Sequence, residues 1–388
     1  LLAINNMNVE DILGKLVGFP VLGGESNLDI IHWIKNYIET FGIETTLVPN
    51  KEKTKASLHC RIGPAVDGGV ILSGHTDVVP VKGQVWDTDP FTLVKKDGKL
   101  FARGSADMKG YIACCLAALP TLREADLKKP IYFAFSYDEE IGCLAAPELI
   151  EHIKQSYEEN ATYAIIGEPS SLEPVIGKKG VCYVQTEVNG SAGHSSGIHK
   201  EISAIHESTR LIMWLENKMK LLSLARQDDR FEPPHSTIHV GQISGGVATN
   251  IVADYTRFEW DVRVIPKDDI HTIFDDFFAF CEELEQEVRK LFPDFTITNT
   301  LLHPPVPALD TKETDSIVAL TQEISGRDTW RTVAYAAEAG QFHEAGYESI
   351  ICGPGSIEQA HRANEFTTQE QLDKCVKMLE KLVVKFSF

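Results

Sequence analysis

The run FAFSYDEEIG (133–142) carries an apolar stretch into three consecutive acids, Asp138, Glu139 and Glu140. Adjacent carboxylates repel one another, so a strand ending on them needs positive charge nearby, either counter-ions around a solvated loop or something bound. Four other stretches end in a similar way. VILSGHTDVVP (70–80) reaches His75 with Asp77 two residues on, and LFARGSADMKG (100–110) reaches Asp107. AIIGEPS (164–170) reaches Glu168, and SIICGPGSIEQAHRANEF (349–366) leads to His361. Taken singly, each has a bland reading: a structural His bonded to Asp, a turn Glu before Pro169, a surface His. Together they supply imidazoles and carboxylates, without thiolates, after separate apolar strands. That donor set suits zinc or a similar divalent ion.

The surrounding pattern explains how such side chains meet. GGVILSGH (68–75), PIYFAFSY (130–137) and TYAIIGEP (162–169) read as buried strands. They alternate with helical stretches, NLDIIHWIKNYIETFG (27–42) closing on Gly42 and SADMKGYIACCLAALPTL (105–122) entered through a Ser or Asp cap. This is the order of an α/β fold with a large, mostly parallel sheet covered by helices. Ligands of such sheets bind beyond the carboxyl ends of the strands, where all these acids and histidines would gather.

After GKKG (177–180) the pattern changes. VCYVQTEVNG (181–190) alternates apolar and polar residues, as a half-exposed antiparallel strand does. A helix over about 200–222, strands near 236–244 and 255–264, a helix over 268–292 and a strand at FTITNTL (295–301) follow. Strand-helix-strand-strand-helix-strand is a split βαβ unit of ferredoxin-like type. HPPVPALD (303–310) reads as a proline-stiffened return. The expected organisation is therefore a discontinuous catalytic domain, 1–177 with 303–388, and an inserted α+β domain, 178–302.

Composition narrows the partners. The 388 residues, 43% of them hydrophobic, suffice for two domains, and the net charge of -19 argues against nucleic acid and anionic membrane surfaces. No apolar run reaches membrane-spanning length, and LLAINNMNVEDILGKL has neither a basic n-region nor a small-residue cleavage site. The eight cysteines lack CxxC spacing and read as reduced core thiols, which points to the cytoplasm.

The stretches SGHTDVVP, ARGSADMKG, DEEIG, GEPSSLEPVIGKKG, GHSS and GPGSIEQAHRANEF, in that order along nearly the whole chain, resemble the cocatalytic zinc aminoacylases. That family includes amino-acid deacetylases, desuccinylases and carboxypeptidase-like hydrolases. The resemblance implies two divalent ions per chain, zinc first and cobalt as the alternative. Asp107 would bridge them, with His75 and Glu168 completing one site and Glu140 and His361 the other. Asp77 would accept the free imidazole N–H of His75, and Glu139 would be the general base on a shared water.

In the inserted domain, the resemblance makes His194 the histidine that reaches the tetrahedral oxyanion, usually from the partner subunit of a homodimer built through this domain. Asn250 and Arg263 would bind the α-carboxylate, aided by backbone N–H groups of Gly353 and Gly355. Tyr335 and Glu338 are candidates for contact with the substrate side chain. GEPSSLEPVIGKKG, AYAAEAGQF and GPGSIEQAH are most similar to members that release acetate from N2-acetyl-L-ornithine in arginine biosynthesis. Succinyl-diaminopimelate hydrolysis, dipeptide or other N-acyl amino acid hydrolysis, and an inactive ligand-binding relative are the competing readings.

Overall fold

The computed structural model describes residues 7–388, which form two compact units. The short N-terminal stretch 1–6, part of the segment read above for a leader, lies outside the described residues. The first unit comprises the described residues up to Gly177 together with Leu309–Thr332 and Ala337–Phe388. The second comprises Lys178–Ala308 and Val333–Ala336. The return into the first unit therefore lies at Leu309, past the 303 expected. The short piece 333–336, with Tyr335, clusters with the second unit.

In the first unit, the sheet runs Thr45–Pro49, Ala56–Ile62, Ile131–Ser136, Gly69–His75, Ala161–Pro169, Glu348–Gly353, Val175–Lys178 and Leu309–Asp310. Its central neighbours from Ile131–Ser136 to Glu348–Gly353 pair in parallel, and antiparallel strands flank them. The central strands are apolar throughout because helices cover the sheet; Gly69–His75 and Ile131–Ser136 are buried at every position. Parallel pairing also sets the rim. His75 lies opposite Ser136, and Gly353 lies opposite Pro169, so the segments 75–77, 138–140, 168 and 353–361 leave the sheet at the same end.

The helix expected over 105–122 starts later. It runs Lys109–Ala117, followed by Leu119–Glu124, and Met108 at its cap makes no side-chain capping bond. Neither Ser105 nor Asp107 caps it, because residues 105–108 form a turn whose N–H groups at Ala106 and Asp107 donate to Glu365 Oε1 (2.9 and 3.1 Å). Asp107 thus keeps its carboxylate free of the helix.

The second unit is a four-stranded antiparallel sheet ordered Thr237–Gly245, Tyr255–Val264, Gly180–Asn189, Thr296–Leu301, with helices Ala204–Leu224 and Ile270–Arg289. Numbered along the chain this order is 2-3-1-4, the arrangement of a split βαβ repeat. Alternation carries the core: Cys182, Val184 and Val188 from one strand and Phe258, Trp260 and Val262 from its neighbour pack with Phe274, Phe277 and Leu284 of the second helix. No helix among the described residues is long and apolar enough to cross a membrane.

Candidate metal centre and active site

The three acids that end strand Ile131–Ser136 separate completely. Asp138 takes a left-handed backbone (φ +56°) and turns away, its carboxylate paired with Lys55 Nζ (2.5 Å) and accepting the Gly24 N–H (2.8 Å). Glu139 points to His75, with Oε2 at 3.9 Å from Nε2. Glu140 points to His361, Oε2 at 3.0 Å from Nε2. Successive side chains on an extended segment diverge, and a left-handed residue at its start sharpens the divergence.

Around these lie the other ligand candidates, all within the first unit. His75 Nε2 is 3.2 Å from Asp107 Oδ1 and 3.6 Å from Glu168 Oε1. The other oxygen of Asp107, Oδ2, is 3.3 Å from His361 Nε2. One carboxylate therefore faces an imidazole on each side. Two sets of donor atoms have metal-site spacing: His75 with Glu139 and Glu168, and His75 with Asp107 and Glu140. His361 reaches the site from a loop residue at φ +62°, a conformation that a non-glycine residue keeps only where its surroundings hold it.

Asp77 differs in detail from the expectation. The Nδ1 of His75 meets the Asp77 backbone carbonyl at 3.0 Å, with the carboxylate Oδ1 farther off at 3.5 Å. The carboxylate instead accepts the backbone N–H groups of Glu139 (3.2 Å) and Glu140 (3.1 Å). One residue thus orients the imidazole through its main chain and the acidic pair through its side chain. Such a double hold follows from strands 69–75 and 131–136 being neighbours in register.

Charge is the strongest test of what this site holds. Burial, opposed by His75 and reinforced by Glu140 and Asp107, pushes Glu139 up to about 8. Burial and Asp107 push Glu140 up to about 7, and burial with Asp107 and Glu139 drives Glu168 well above the usual carboxylate range. Hydrogen bonds to Asp107 and Glu140 raise His361 to about 10. Burial opposes charging Asp107, yet the His361 and His75 contacts hold it low; His75 itself is raised against burial by Asp107 and Asp77. Asp107, Glu139, Glu140 and Glu168 thus share two imidazoles as close positive partners. Glu140 Oε1 is buried and makes no hydrogen bond. A cluster that gathers protons for want of positive charge, with a carboxylate oxygen left unbonded, fits a pair of divalent cations.

Other expected residues fall elsewhere. Glu338 belongs beneath the rim of the first unit, 1% exposed, where its carboxylate accepts hydrogen bonds from Ser73 (3.2 Å) and Ser136. Burial raises its pKa. In this placement it braces strands 69–75 and 131–136. The N–H groups of the two glycines have partners within the first unit. Gly353 N–H donates to Ser170 Oγ (3.2 Å) and Gly355 N–H to Gln371 Oε1 (3.3 Å), so these donors are already engaged. Glycine is required there for other reasons: a Cβ at 353 would lie 1.9 Å from the Gly167 carbonyl oxygen, and Gly355 sits at φ +83°.

In the second unit, His194 and Asn250 come together. Ser195 N–H donates to the Asn250 carbonyl (3.0 Å), and His194 bridges Ile251. Nδ1 of the exposed His194 accepts the Ser196 N–H (3.2 Å), which leaves the proton of a neutral ring on Nε2. Arg263 Nε pairs with Asp261 (3.2 Å), and Nη1 donates to the Ala334 carbonyl (3.0 Å), one residue from the half-buried Tyr335.

The sequence reading passed over Gln84, Arg103, Glu365, Ser73 and Ser136. The partners that tie them to the site are 19 to 277 residues away in the chain, so no local spacing marks them.

Residues 71–385 match the model of peptidase family M20/M25/M40. The chain is 32% identical to an acetylornithine deacetylase of Aliivibrio salmonicida (strain LFI1238) over 364 residues, covering 94% of this chain and 93% of that one. An M20 family metallo-carboxypeptidase from Sulfolobus solfataricus superposes with a TM-score of 0.78 at 18% identity, covering 98% of this chain and 99% of that one. A dinuclear metal binding peptidase of the M20 family from Bacillus subtilis gives 0.64 at 17% identity, with 97% of each chain covered. At these identities the two structures speak to the fold.

Proposed function

The chain belongs to peptidase family M20/M25/M40 and is a metal-dependent amidohydrolase, and on that premise we propose that it removes acetate from N2-acetyl-L-ornithine. One observation carries the metal chemistry: four carboxylates with largely buried side chains beside the imidazoles of His75 and the more exposed His361, with Glu140 Oε1 unbonded. His75 and Glu168 would hold one ion, Glu140 and His361 the other, and Asp107 both; zinc suits the donor set and cobalt is the alternative. When bound, two such ions supply Lewis acidity toward the acyl carbonyl and acidify a water molecule.

The remaining work falls to the chain itself. Glu139 takes the proton of the attacking water and delivers it to the departing amine, so one carboxylate serves as base and then as acid. Asp77 holds Glu139 and Glu140 by their N–H groups, which fixes the angle between base and ligand. Burial excludes bulk water from competing with that transfer. The Nε2–H of His194 donates to the oxyanion, and Arg263 with Asn250 receives the α-carboxylate. Tyr335, beside the Ala334 carbonyl that Arg263 engages, contacts the substrate side chain.

The relatives' activity and the EAGQF segment (338–342) support the acetyl group: the segment carries no cation for a second carboxylate such as a succinyl group brings. All eight cysteines are buried thiols, in keeping with a cytoplasmic location. Free-amine release from N2-acetylornithine, N-succinyl-diaminopimelate and dipeptides, with zinc or cobalt added, tests this. The acetylated substrate is expected to exceed the others by at least about 10-fold in kcat/KM, a difference of ~1.4 kcal/mol. A preference for the succinylated substrate or a dipeptide overturns the assignment, and no release from any leaves an inactive binding relative.

His194 requires a homodimer if it serves the partner's site, and the exposed edge strand Thr237–Gly245 offers a surface for such pairing. Mixing Glu139→Gln with His194→Ala chains under subunit exchange should then restore about a quarter of wild-type activity, since half the dimers are mixed and each has one complete site. A mixture that stays inactive places His194 in its own chain's site.

A further inference from the structure

Two of the ligand candidates, Asp107 and His361, sit on loops, and loops hold geometry less well than strands. A closed chain of hydrogen bonds ties these two loops together. Glu365 is 1% exposed, and its Oε1 accepts the N–H groups of Ala106 (2.9 Å) and Asp107 (3.1 Å). Its Oε2 pairs with Arg103 Nη1 at 2.6 Å, an ion pair in which both side chains are buried. Arg103 Nη2 donates to Gln84 Oε1 (2.7 Å), and Gln84 Nε2 donates to the His361 carbonyl (2.8 Å). The backbone closes the figure: Ala102 N–H donates to the Glu365 carbonyl (3.1 Å), and Phe366–Thr368 pairs with Lys99–Phe101.

The contacts around this circuit are also specific. Arg103 lies over the ring of Trp86 (5.3 Å to its centre), whose indole N–H donates to the same Gln84 oxygen (3.2 Å). Asp87 N–H donates to Asn364 Oδ1 (2.9 Å), which fixes the other end of the His361 loop. Both His361 and Asn364 hold left-handed backbones at φ +62° and +57°. Such residues relax unless the surroundings hold them. A buried ion pair is weak evidence for stability, because removing both charges from water costs as much as their attraction returns. Its presence here, with one carboxylate oxygen on the Asp107 turn and the other on the arginine that reaches Gln84, points to placement as its use.

We propose that Gln84, Arg103 and Glu365 are positioning residues that fix the separation of Asp107 and His361, and so set the affinity of the ion those two would share. The proposal rests on the metal-ligand reading above. Glu365 governs the bridging carboxylate and acts on both ions. Gln84 touches the His361 loop alone and acts on one. Arg103 links the two effects, because its guanidinium fork is planar and cannot satisfy Glu365 and Gln84 except in one relative placement.

The test is cobalt(II) titration of chelator-stripped full-length protein, read by calorimetry and by the visible ligand-field spectrum, for wild type, Glu365→Gln, Gln84→Ala, Asp107→Ala and His361→Ala. Thermal melts establish that each variant is folded. Glu365→Gln is expected to weaken both binding steps by about 10- to 100-fold, the scale for lost partners of metal ligands. Gln84→Ala, which leaves no buried charge behind, is expected to weaken one step by about 10-fold with a changed spectrum for that step alone. If Asp107→Ala and His361→Ala lose cobalt while folded Gln84→Ala binds both ions as wild type does, the positioning role is overturned and the ligand assignment stands. If Asp107→Ala and His361→Ala also bind as wild type does, the ligand assignment falls, and the positioning role falls with it. Should Glu365→Gln fail to fold, the Gln84→Ala comparison decides by itself.

Discussion

Glu139→Gln is expected to lower kcat by at least about 100-fold while metal content stays at the wild-type level, and Glu140→Gln to lose one ion. The difference follows from where two neighbouring side chains point. Glu139 Oε2 lies 3.9 Å from His75 Nε2 and its Oε1 accepts from Cys143 Sγ (3.3 Å), while Glu140 meets His361 at 3.0 Å with its second oxygen unbonded. Gln at 139 keeps the shape and an acceptor oxygen but cannot take a proton. Kinetics at saturating substrate beside elemental analysis of the same samples checks it. Equal metal loss in both variants would show that the division of labour between these neighbours is wrong.

Asp107→Ala is expected to abolish turnover and to reduce bound metal from about two ions per chain to less than one, because a single carboxylate faces both imidazoles. His361→Ala should lose mainly one ion. Chelation of wild type should reproduce the Asp107→Ala loss, and for two reasons. The ions leave, and in their absence burial holds Glu139 at about 8, so at pH 7 most of the base already carries a proton. Raising the pH of stripped protein above about 8 frees the base but leaves the ions missing, so activity should stay lost, whereas adding back zinc or cobalt should restore it. Full turnover in metal-free wild type, with metal measured on the assayed sample, would overturn the dinuclear reading.

The paired behaviour of these variants separates two kinds of damage. On the proposed assignment, loss of Asp107 would remove a ligand, while loss of Glu365 would leave every ligand candidate in place and disturb its direction. Both are expected to reduce turnover, so metal affinity and the cobalt spectrum, rather than rate, would distinguish them.

The sequence by itself determined the layout of the first unit and the identity of the ligand candidates. His75, Glu139, Glu140 and Glu168 were legible because parallel strands are continuous apolar runs that stop on a polar residue at the rim, while Asp107 and His361, on loops, were legible only through their company in the set. The second unit was legible through strict alternation, as in Gly180–Asn189, where inward residues repeat at every second position. Tertiary structure alone decided how the acids are shared out. The turn of Asp138 toward Lys55 depends on a residue 83 positions away, and the Asp77 carboxylate reaches the N–H groups of Glu139 and Glu140 because two strands are in register. Glu338 read as a loop residue, and its buried bracing bonds to Ser73 and Ser136, 265 and 202 residues away, left no mark on the local sequence. The N–H groups of Gly353 and Gly355 were likewise taken by Ser170 and Gln371. Periodicity reports which face a residue occupies, whereas hydrogen-bond partners across a fold depend on which segments become neighbours, and one-dimensional spacing carries no record of that.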